Sequence, residues 1–506
     1  WSCARLHAEA FRAARALADA EIPPGGHVVV WAASSPEWVG WLFGAALRGL
    51  VVVPVDADSS PAYARQIADR VDARLVLHGA GQDASGTGRP CLPVDSLACL
   101  PAADPAALAL SVQPDDPALI YFTSGTTAKP RGVVLTHRNL TSQLARFRPW
   151  RPLVRLFGFR LLTIAPLSHI QGMMLGVCIP LYVGLGVFYT HALHPAHLVR
   201  TLADNRVTLL ATVPRVLHLL GKALCLGTVG NDGRNGVTLG ERLAAHPSHF
   251  QRCQLLFRAV HRALGYQFWV VFVGGSALPR EDEELWNDAG CFVIQGYGLT
   301  ETAAMISVNA PVLGRRGSIG RPLAHQEVRI AEDGEVLVRG PNVSPGYYDD
   351  PESNRQAYVD GFLRTGDLVR RDADNHLFFA GRKKEMLVTG EGFNVYPDDV
   401  EAVLVRQPGV RDAAVIAVER EGHAEIHAVL LLAPETDPAA AVRQANADLE
   451  PHQRIRGWSI WPEPDFPRTS LLKVRRAEVA AHLHREGAPD RPAAASPDLS
   501  LADVLA

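Results

Sequence analysis

Two short runs, HVVVWA at 27–32 and VVVPVD at 51–56, are almost continuously apolar. Strands of that kind need cover on both faces, which a helix-flanked parallel sheet supplies. The neighbouring segments provide that cover. CARLHAEAFRAARALADA at 3–20 carries an apolar stripe at helical spacing, and PEWVGWLFGAALRGL at 36–50 follows Ser34 and Ser35, either of which can cap a helix. This rhythm predicts an α/β architecture with helix-covered, mostly parallel sheets. Further buried strands are expected at 119–122, 208–212, 269–273 and 292–295. Each runs into a glycine-rich or polar turn, where an open α/β sheet places its ligand groups.

From about residue 318 the texture changes. QEVRIAEDGEVLVRG at 326–340 and HLFFAGRKKEMLVTG at 376–390 read as short strands joined by Asp/Gly turns, a smaller β-rich subdomain. After Gly381 come a helix at 396–409, strands at 413–418 and 426–433 and a helix at 438–450, which fit a compact α+β domain. The expected division is a large N-terminal domain over 1–380, a small mobile domain over 381–485 and a Pro/Ala/Ser-rich tail or linker over 486–506.

At 506 residues the chain is too long for one hydrophobic core. Lys+Arg 50 against Asp+Glu 53 leaves a formal net charge of -3, with no basic excess to hold nucleic acid. Seven cysteines, an odd number with no C-x-x-C pair, indicate neither a disulfide framework nor a zinc knuckle, so a reducing, cytoplasmic compartment is expected. The apolar stretch 172–187 is short for a membrane span and contains Pro180 and several glycines, so it reads as buried helix and strand. Peripheral association with a membrane stays open. Trp1 stands in place of an initiating methionine, so a natural start upstream is expected; no signal peptide is legible.

YFTSGTTAKPRGVVLTH at 121–137 packs hydroxyls, glycine and Lys129 into one loop after the apolar ALIYF. Short Ser/Thr/Gly runs are usually turns, and the Walker A pattern is absent. Yet glycine admits close backbone approach, hydroxyls donate hydrogen bonds and lysine supplies charge, which together suit a polyphosphate.

That loop, with GYGLTE at 296–301, RTGD at 364–367, GRKKEM at 381–386 and PRTSLLKVRR at 467–476, resembles the ordered core motifs of the adenylate-forming (AMP-binding) enzymes. These include acyl-CoA synthetases, luciferase-like enzymes and peptide-synthetase adenylation domains. The resemblance covers nearly the whole chain and is nearest to long-chain fatty acyl-CoA synthetases. It implies ATP-dependent activation of a carboxylic acid to an acyl-adenylate with release of pyrophosphate, then transfer to a thiol.

By this resemblance Thr123, Ser124, Gly125, Thr126, Thr127 and Lys129 hold the β- and γ-phosphates, where donors already in place suit a leaving pyrophosphate. Gly275, Ser276 and Ala277 line the nucleotide, with Gln295, Gly296, Tyr297 and Gly298 on the adenine side. Thr300 contacts phosphate, and Glu301, with Thr126, helps hold Mg2+, a cation that favours hard oxygen ligands. Asp367 accepts from the ribose hydroxyls, Arg382 reaches the ribose or phosphates, and Lys384 marks the hinge. Lys473 neutralises the α-phosphate and carboxylate oxygens during adenylation. Two departures stand out: Leu472 replaces the usual glycine before the lysine, and Glu391 and Gly392 stand where two glycines commonly line the thiol tunnel.

IAPLSHIQGMMLGVCIPLYVGLGVFY at 164–189 resembles the long-chain segment, and places His169 near the acyl-pocket entrance or the carboxylate; without the resemblance it reads as a core histidine. The extra helices expected between Gly221 and Phe268 point the same way. No carboxylate at 168–172 is available to meet a substrate ammonium, which favours a fatty or other apolar acid. The expected cofactors are ATP, Mg2+ and CoA. Alternatives are an acyl-AMP ligase that loads a carrier protein and a non-catalytic acyl or nucleotide sensor; the joint presence of Lys129, Glu301, Asp367 and Lys473 argues against the sensor.

Overall fold

The computed structural model describes residues 1–102, 112–123, 130–226, 239, 243, 248–310, 314–388, 394–420, 423–469, 471–486 and 491–492. The chain divides into two compact units. One comprises Trp1–Ala331, Val336–Thr365 and Arg371–Phe378; the other comprises Glu332–Glu335, Gly366–Arg370 and Phe379–Ala506.

The first unit contains two seven-stranded sheets. In one, His27–Trp31 is an interior strand, parallel to the central strand Val51–Val55 on one side and to Leu75–His78 on the other. Successive residues face opposite cores, as the two-residue period of a strand requires. Val28 and Val30 pack with Ala13, Leu17, Trp38 and Trp41 of the helices Cys3–Asp19 and Pro36–Leu47. Val29 and Trp31 pack with Ala64, Ile67 and Ala68 of Pro61–Arg70. Ser35 caps the second helix by accepting from the Trp38 N–H at 3.1 Å. Ser34 instead accepts from the Leu167 N–H at 3.0 Å and so ties the PLSH turn to this sheet.

In the other sheet, Arg160–Thr163, Leu209–Thr212, Val270–Val273 and Phe292–Tyr297 run parallel in that order, and Ser307–Asn309 is antiparallel at one side. The expected strands are all present, but neither sheet is wholly parallel. In the first sheet, the antiparallel pair Pro117–Thr123 and Arg131–Thr136 is joined by a short loop, too short for a parallel crossover. A further five-stranded sheet carries Glu327–Ile330, Glu335–Arg339, Phe362–Arg371 and Tyr358–Val359, with Leu377–Arg382 beside Phe362–Arg371.

The second unit is built on the hairpin Val410–Arg420 and His423–Leu432, with Gly457–Ile460 parallel to the latter. Ala413, Val415, Ile426 and Leu430 face the helices Pro397–Val405 and Pro438–Asp448; Ala414, Ile416, Val429 and Leu431 face Trp461, Phe466 and Val479. Within the expected tail, Arg491–Pro492 adds a short strand beside Gly457 and Trp458, an edge position that tolerates proline. Together the units give a large mixed α/β domain and a smaller α+β domain. Among the described residues no helix is long and apolar enough to cross a membrane.

Candidate active site

In the first unit, Thr212 and Val273 end their strands and are in register with Gln295, the last residue of Phe292–Tyr297 in the parallel pairing, so the loops that follow leave the sheet at one edge. Gly275, Ser276 and Ala277 are exposed on one of these loops, anchored by the buried Leu278. Gln295 is buried and donates its amide to the Ser318 carbonyl while accepting from the Leu278 N–H, both at 3.2 Å. Its visible work is to brace the Gly275–Ala277 loop. A side chain at Gly296 would meet nothing within 4 Å, which leaves a cradle above the backbone. At Gly298 the reverse holds: a Cβ would lie 2.2 Å from the Ala304 carbonyl, so the following turn closes only over glycine. Tyr297 is buried between them.

That turn carries Thr300 and Glu301 on a single helical turn, Thr300–Thr302. Two buried amides fix it from behind. Gln143 donates to the carbonyls of Thr302 at 3.0 Å and Met305 at 2.9 Å, and Asn342 reaches the same two carbonyls. Glu301 Oε1 accepts from the Tyr347 hydroxyl at 2.9 Å, and its main-chain oxygen accepts from the Ser344 N–H at 2.7 Å. The Arg131 guanidinium lies over the Tyr347 ring, 5.7 Å from its centroid. Burial and the neighbouring Glu301 charge push the Tyr347 phenol well above its ordinary range, so it serves as a donor.

Arg131 is also the register partner of Thr123, so the two flank the loop of the 121–137 motif. Ser124, Gly125, Thr126, Thr127 and Lys129, the expected phosphate and metal donors, lie outside the described residues, as do Glu391 and Gly392. Tyr347, Asn342 and Gln143 were invisible to sequence reasoning. Arg131 carried a signal, a guanidinium directly after the loop.

His169 precedes the helix Ile170–Met173, and its Nε2 stands 3.8 Å from Asp56 Oδ2, which also accepts from the Ser168 hydroxyl at 3.0 Å. Burial lowers the imidazole pKa against the pull of Asp56, so its neutral form is favoured. Two residues on, Gln171 donates to the Thr212 carbonyl at 3.2 Å and lies beside Gly274. This missed residue attaches the apolar segment to the strand ends from which the glycine loops depart. The segment runs as α-helix, then π-helix at Met174–Cys178, then Ile179–Val183. Such π-turns often mark functional sites.

In the second unit, Asp367 is 1% exposed and its Oδ1 lies 3.0 Å from Arg382 Nε. Glu335 accepts from the Gly366 N–H at 3.0 Å and, with Asp333, binds Lys383; Lys384 is exposed. Lys473 sits on the return limb of a tight loop, where its N–H donates to Thr469 Oγ1 at 3.2 Å and its carbonyl accepts from the Thr469 N–H at 2.9 Å. Burial foremost, then repulsion from Arg382, pulls the Lys473 ammonium down to about 8, against the attraction of Glu385, Asp367 and Asp398. Leu472, where glycine was expected, has φ +60°, the left-handed conformation that glycine adopts freely. Arg476 then binds Glu401, Glu385 and Asp398, fastening this limb to the helix Pro397–Val405.

In the first unit, hard oxygen donors on a braced turn and open space above Gly296 suit a nucleotide with a magnesium ion; the second unit, by itself, offers a buried carboxylate paired with arginine. The profile of the AMP-binding enzymes matches residues 1–348. This chain belongs to that family. It is 27% identical to a long-chain-fatty-acid–CoA ligase of Mycobacterium bovis over 95% of this chain and 90% of the relative. It is 30% identical to a sulfoacetate–CoA ligase of Cupriavidus necator, over 92% and 90%. Among solved structures, O-succinylbenzoate coenzyme A synthetase of Bacillus subtilis, in complex with AMP, superposes with TM-score 0.77 at 23% identity, covering 94% of this chain and 92% of that one. The acids in these names differ widely. Family membership therefore carries the general chemistry, ATP-dependent activation of a carboxylic acid to an acyl-adenylate, and leaves the acid to be argued separately.

Proposed function

We propose that this AMP-binding enzyme activates a medium- to long-chain fatty acid and delivers it to CoA. ATP is the nucleotide, with Mg2+ held at the Glu301 turn. One observation carries the choice of acid. Gln171 fastens the segment that follows PLSH to the Thr212 carbonyl, and from Ile170 to Tyr189 that segment contains no charged side chain. A substrate acid aligned along it meets apolar surface and a single amide. A sulfonated or amino acid would need a countercharge there. The resemblance to long-chain-fatty-acid–CoA ligases supports the same reading.

In this reading each residue has a physical task. The loop at 123–129 holds the departing phosphates, Glu301 is aimed by the Tyr347 hydroxyl, and Asp367 with Arg382 orients the ribose. Lys473 supplies positive charge where the carboxylate oxygen attacks the α-phosphorus. A lysine pulled down to about 8 is readily given and withdrawn, as a charge needed in one half-reaction must be. A thiol then attacks the acyl carbon and AMP leaves.

The test is pyrophosphate release across straight-chain acids, aromatic acids and sulfoacetate, run with and without CoA. Preference for chains of medium length or longer, with AMP and acyl-CoA formed only when CoA is present, is the expected result. Preference for a charged or aromatic acid overturns the substrate assignment. Adenylate formation that CoA never discharges, but a carrier protein does, overturns the acceptor.

A further inference from the structure

Between Asp116 and Asp204 the chain contains no aspartate or glutamate. Within that span the helical turns Ala145–Trp150 and Arg151–Phe157 follow one another. They present Trp150 at 57% exposure, Leu153 at 43%, Leu156 at 75% and Phe157 at 63%, and of these residues only Val154 is fully buried. Single exposed apolar residues need no explanation, but this many large ones in eight positions does. Phe157 stacks on Phe159 at 5.7 Å with the rings 11° apart, so the patch is shaped and does not simply splay into water.

Arginines surround it. Arg148 and Arg155 are exposed, Arg160 lies just beyond, and the Arg151 guanidinium stands 5.5 Å from the Tyr182 ring centroid. That contact joins the patch to Ile179–Val183, whose Leu181 is also exposed. Among the described residues Arg148, Arg151 and Arg155 have no carboxylate partner. Apolar side chains rimmed by unpaired arginines, in an acid-free stretch of an overall acidic chain, complement one environment: an apolar interior beneath a layer of negative charge.

We propose that Ala145–Phe157 is a membrane-surface docking element that seats on an anionic lipid bilayer, with Trp150, Leu153, Leu156 and Phe157 in the headgroup–acyl boundary and Arg148 and Arg155 on the lipid phosphates. The element adjoins the apolar segment that follows PLSH, so a docked enzyme presents that segment toward the phase in which apolar acids concentrate. The proposal rests on charge and exposure and holds whichever acid is activated.

The test is co-sedimentation of the full chain with vesicles of phosphatidylcholine alone and of equal parts phosphatidylcholine and phosphatidylglycerol. The wild type is expected to pellet with the anionic vesicles, less so as salt is raised, and to stay in solution with the neutral ones. Arg148→Gln with Arg155→Gln should weaken binding about fivefold per arginine removed, from about 1 kcal/mol each. Trp150→Ser/Leu156→Ser/Phe157→Ser should abolish it. Both variants should keep the thermal midpoint and the rate on a short, soluble acid without vesicles. A wild type that ignores anionic vesicles, or variants that pellet equally, overturns the proposal. So does a wild type that self-associates by light scattering and ignores vesicles, with the triple variant monomeric, since the face would then be an interface between copies.

Discussion

Tyr347 donates its phenolic hydrogen to Glu301 Oε1 at 2.9 Å, across 46 residues of sequence. Tyr347 lies on a two-residue edge strand paired with Val133, and Glu301 on a one-turn helix. Neither element is rigid alone. The bond, with the Arg131 guanidinium over the ring, aims the carboxylate expected to serve the metal.

Tyr347→Phe should therefore raise the Mg2+ concentration needed for half-maximal pyrophosphate release and lower kcat/KM for ATP by about 10- to 100-fold, the value of a hydrogen bond to a charged group. Glu301→Gln should cost more. An unchanged Mg2+ dependence in Tyr347→Phe would sever this residue from the metal site.

Lys473→Ala should abolish acyl-adenylate formation from ATP while largely sparing thiol transfer from preformed acyl-adenylate. The two half-reactions are measured separately by pyrophosphate exchange and by acyl-CoA formation. Equal loss in both would remove the assigned role.

The lowered pKa of Lys473 sets two pH effects. Its folded value, about 8, lies below the ordinary lysine range, so between them the unfolded chain binds more protons. Stability from this group therefore rises as pH climbs from about 8 toward that range, and Lys473→Met should lose this rise in urea melts. In kinetics, Arg382→Gln should move the alkaline limb of kcat/KM upward, and Asp367→Asn should move it downward. Shifts in the opposite sense would mean that these charges do not act on Lys473.

Leu472 at φ +60° should carry backbone strain of about 1–2 kcal/mol. Leu472→Gly relieves it at some cost in chain entropy, and Leu472→Val makes it worse because a β-branched residue fits the left-handed region poorly. Urea midpoints should rank glycine at or above leucine and valine below both. Valine equal to leucine would show that the loop relaxes without strain.

Arg476 binds three carboxylates, one of which, Glu401, is pushed up to about 7 by burial despite the arginine. Arg476→Gln should destabilise the second unit by about 2–4 kcal/mol, because the acids lose their countercharge. With a raised folded pKa, the folded state holds more protons between the ordinary carboxylate range and about 7, so stability falls as pH rises through that window. The deficit of the variant should accordingly be larger at pH 8 than at pH 5. A pH-independent deficit would indicate a packing effect.

Much of the fold was legible because it is local. Val28 to Trp31 and Val51 to Val55 announce buried strands by composition, and the glycine-rich turns after 273 and 295 mark the strand ends. Ser34 and Ser35 show where legibility stops. Adjacent residues of one type read as alternative caps, yet one caps its helix and the other holds Leu167, more than a hundred residues away. Gln295 shows it again: a place in a motif suggested contact with nucleotide, while its amide braces Leu278 and Ser318.

The sequence by itself determined the order of strands and helices, the positions of the motifs and the presence of Glu301, Asp367 and Lys473, since periodicity and side-chain chemistry are properties of short segments. The tertiary structure alone decided that Glu301 is aimed by Tyr347, that His169 lies against Asp56, that Arg382 and burial draw Lys473 down to about 8, and that Leu472 occupies a glycine conformation. These depend on distances through space and on exclusion of water, and no local pattern in the chain encodes either.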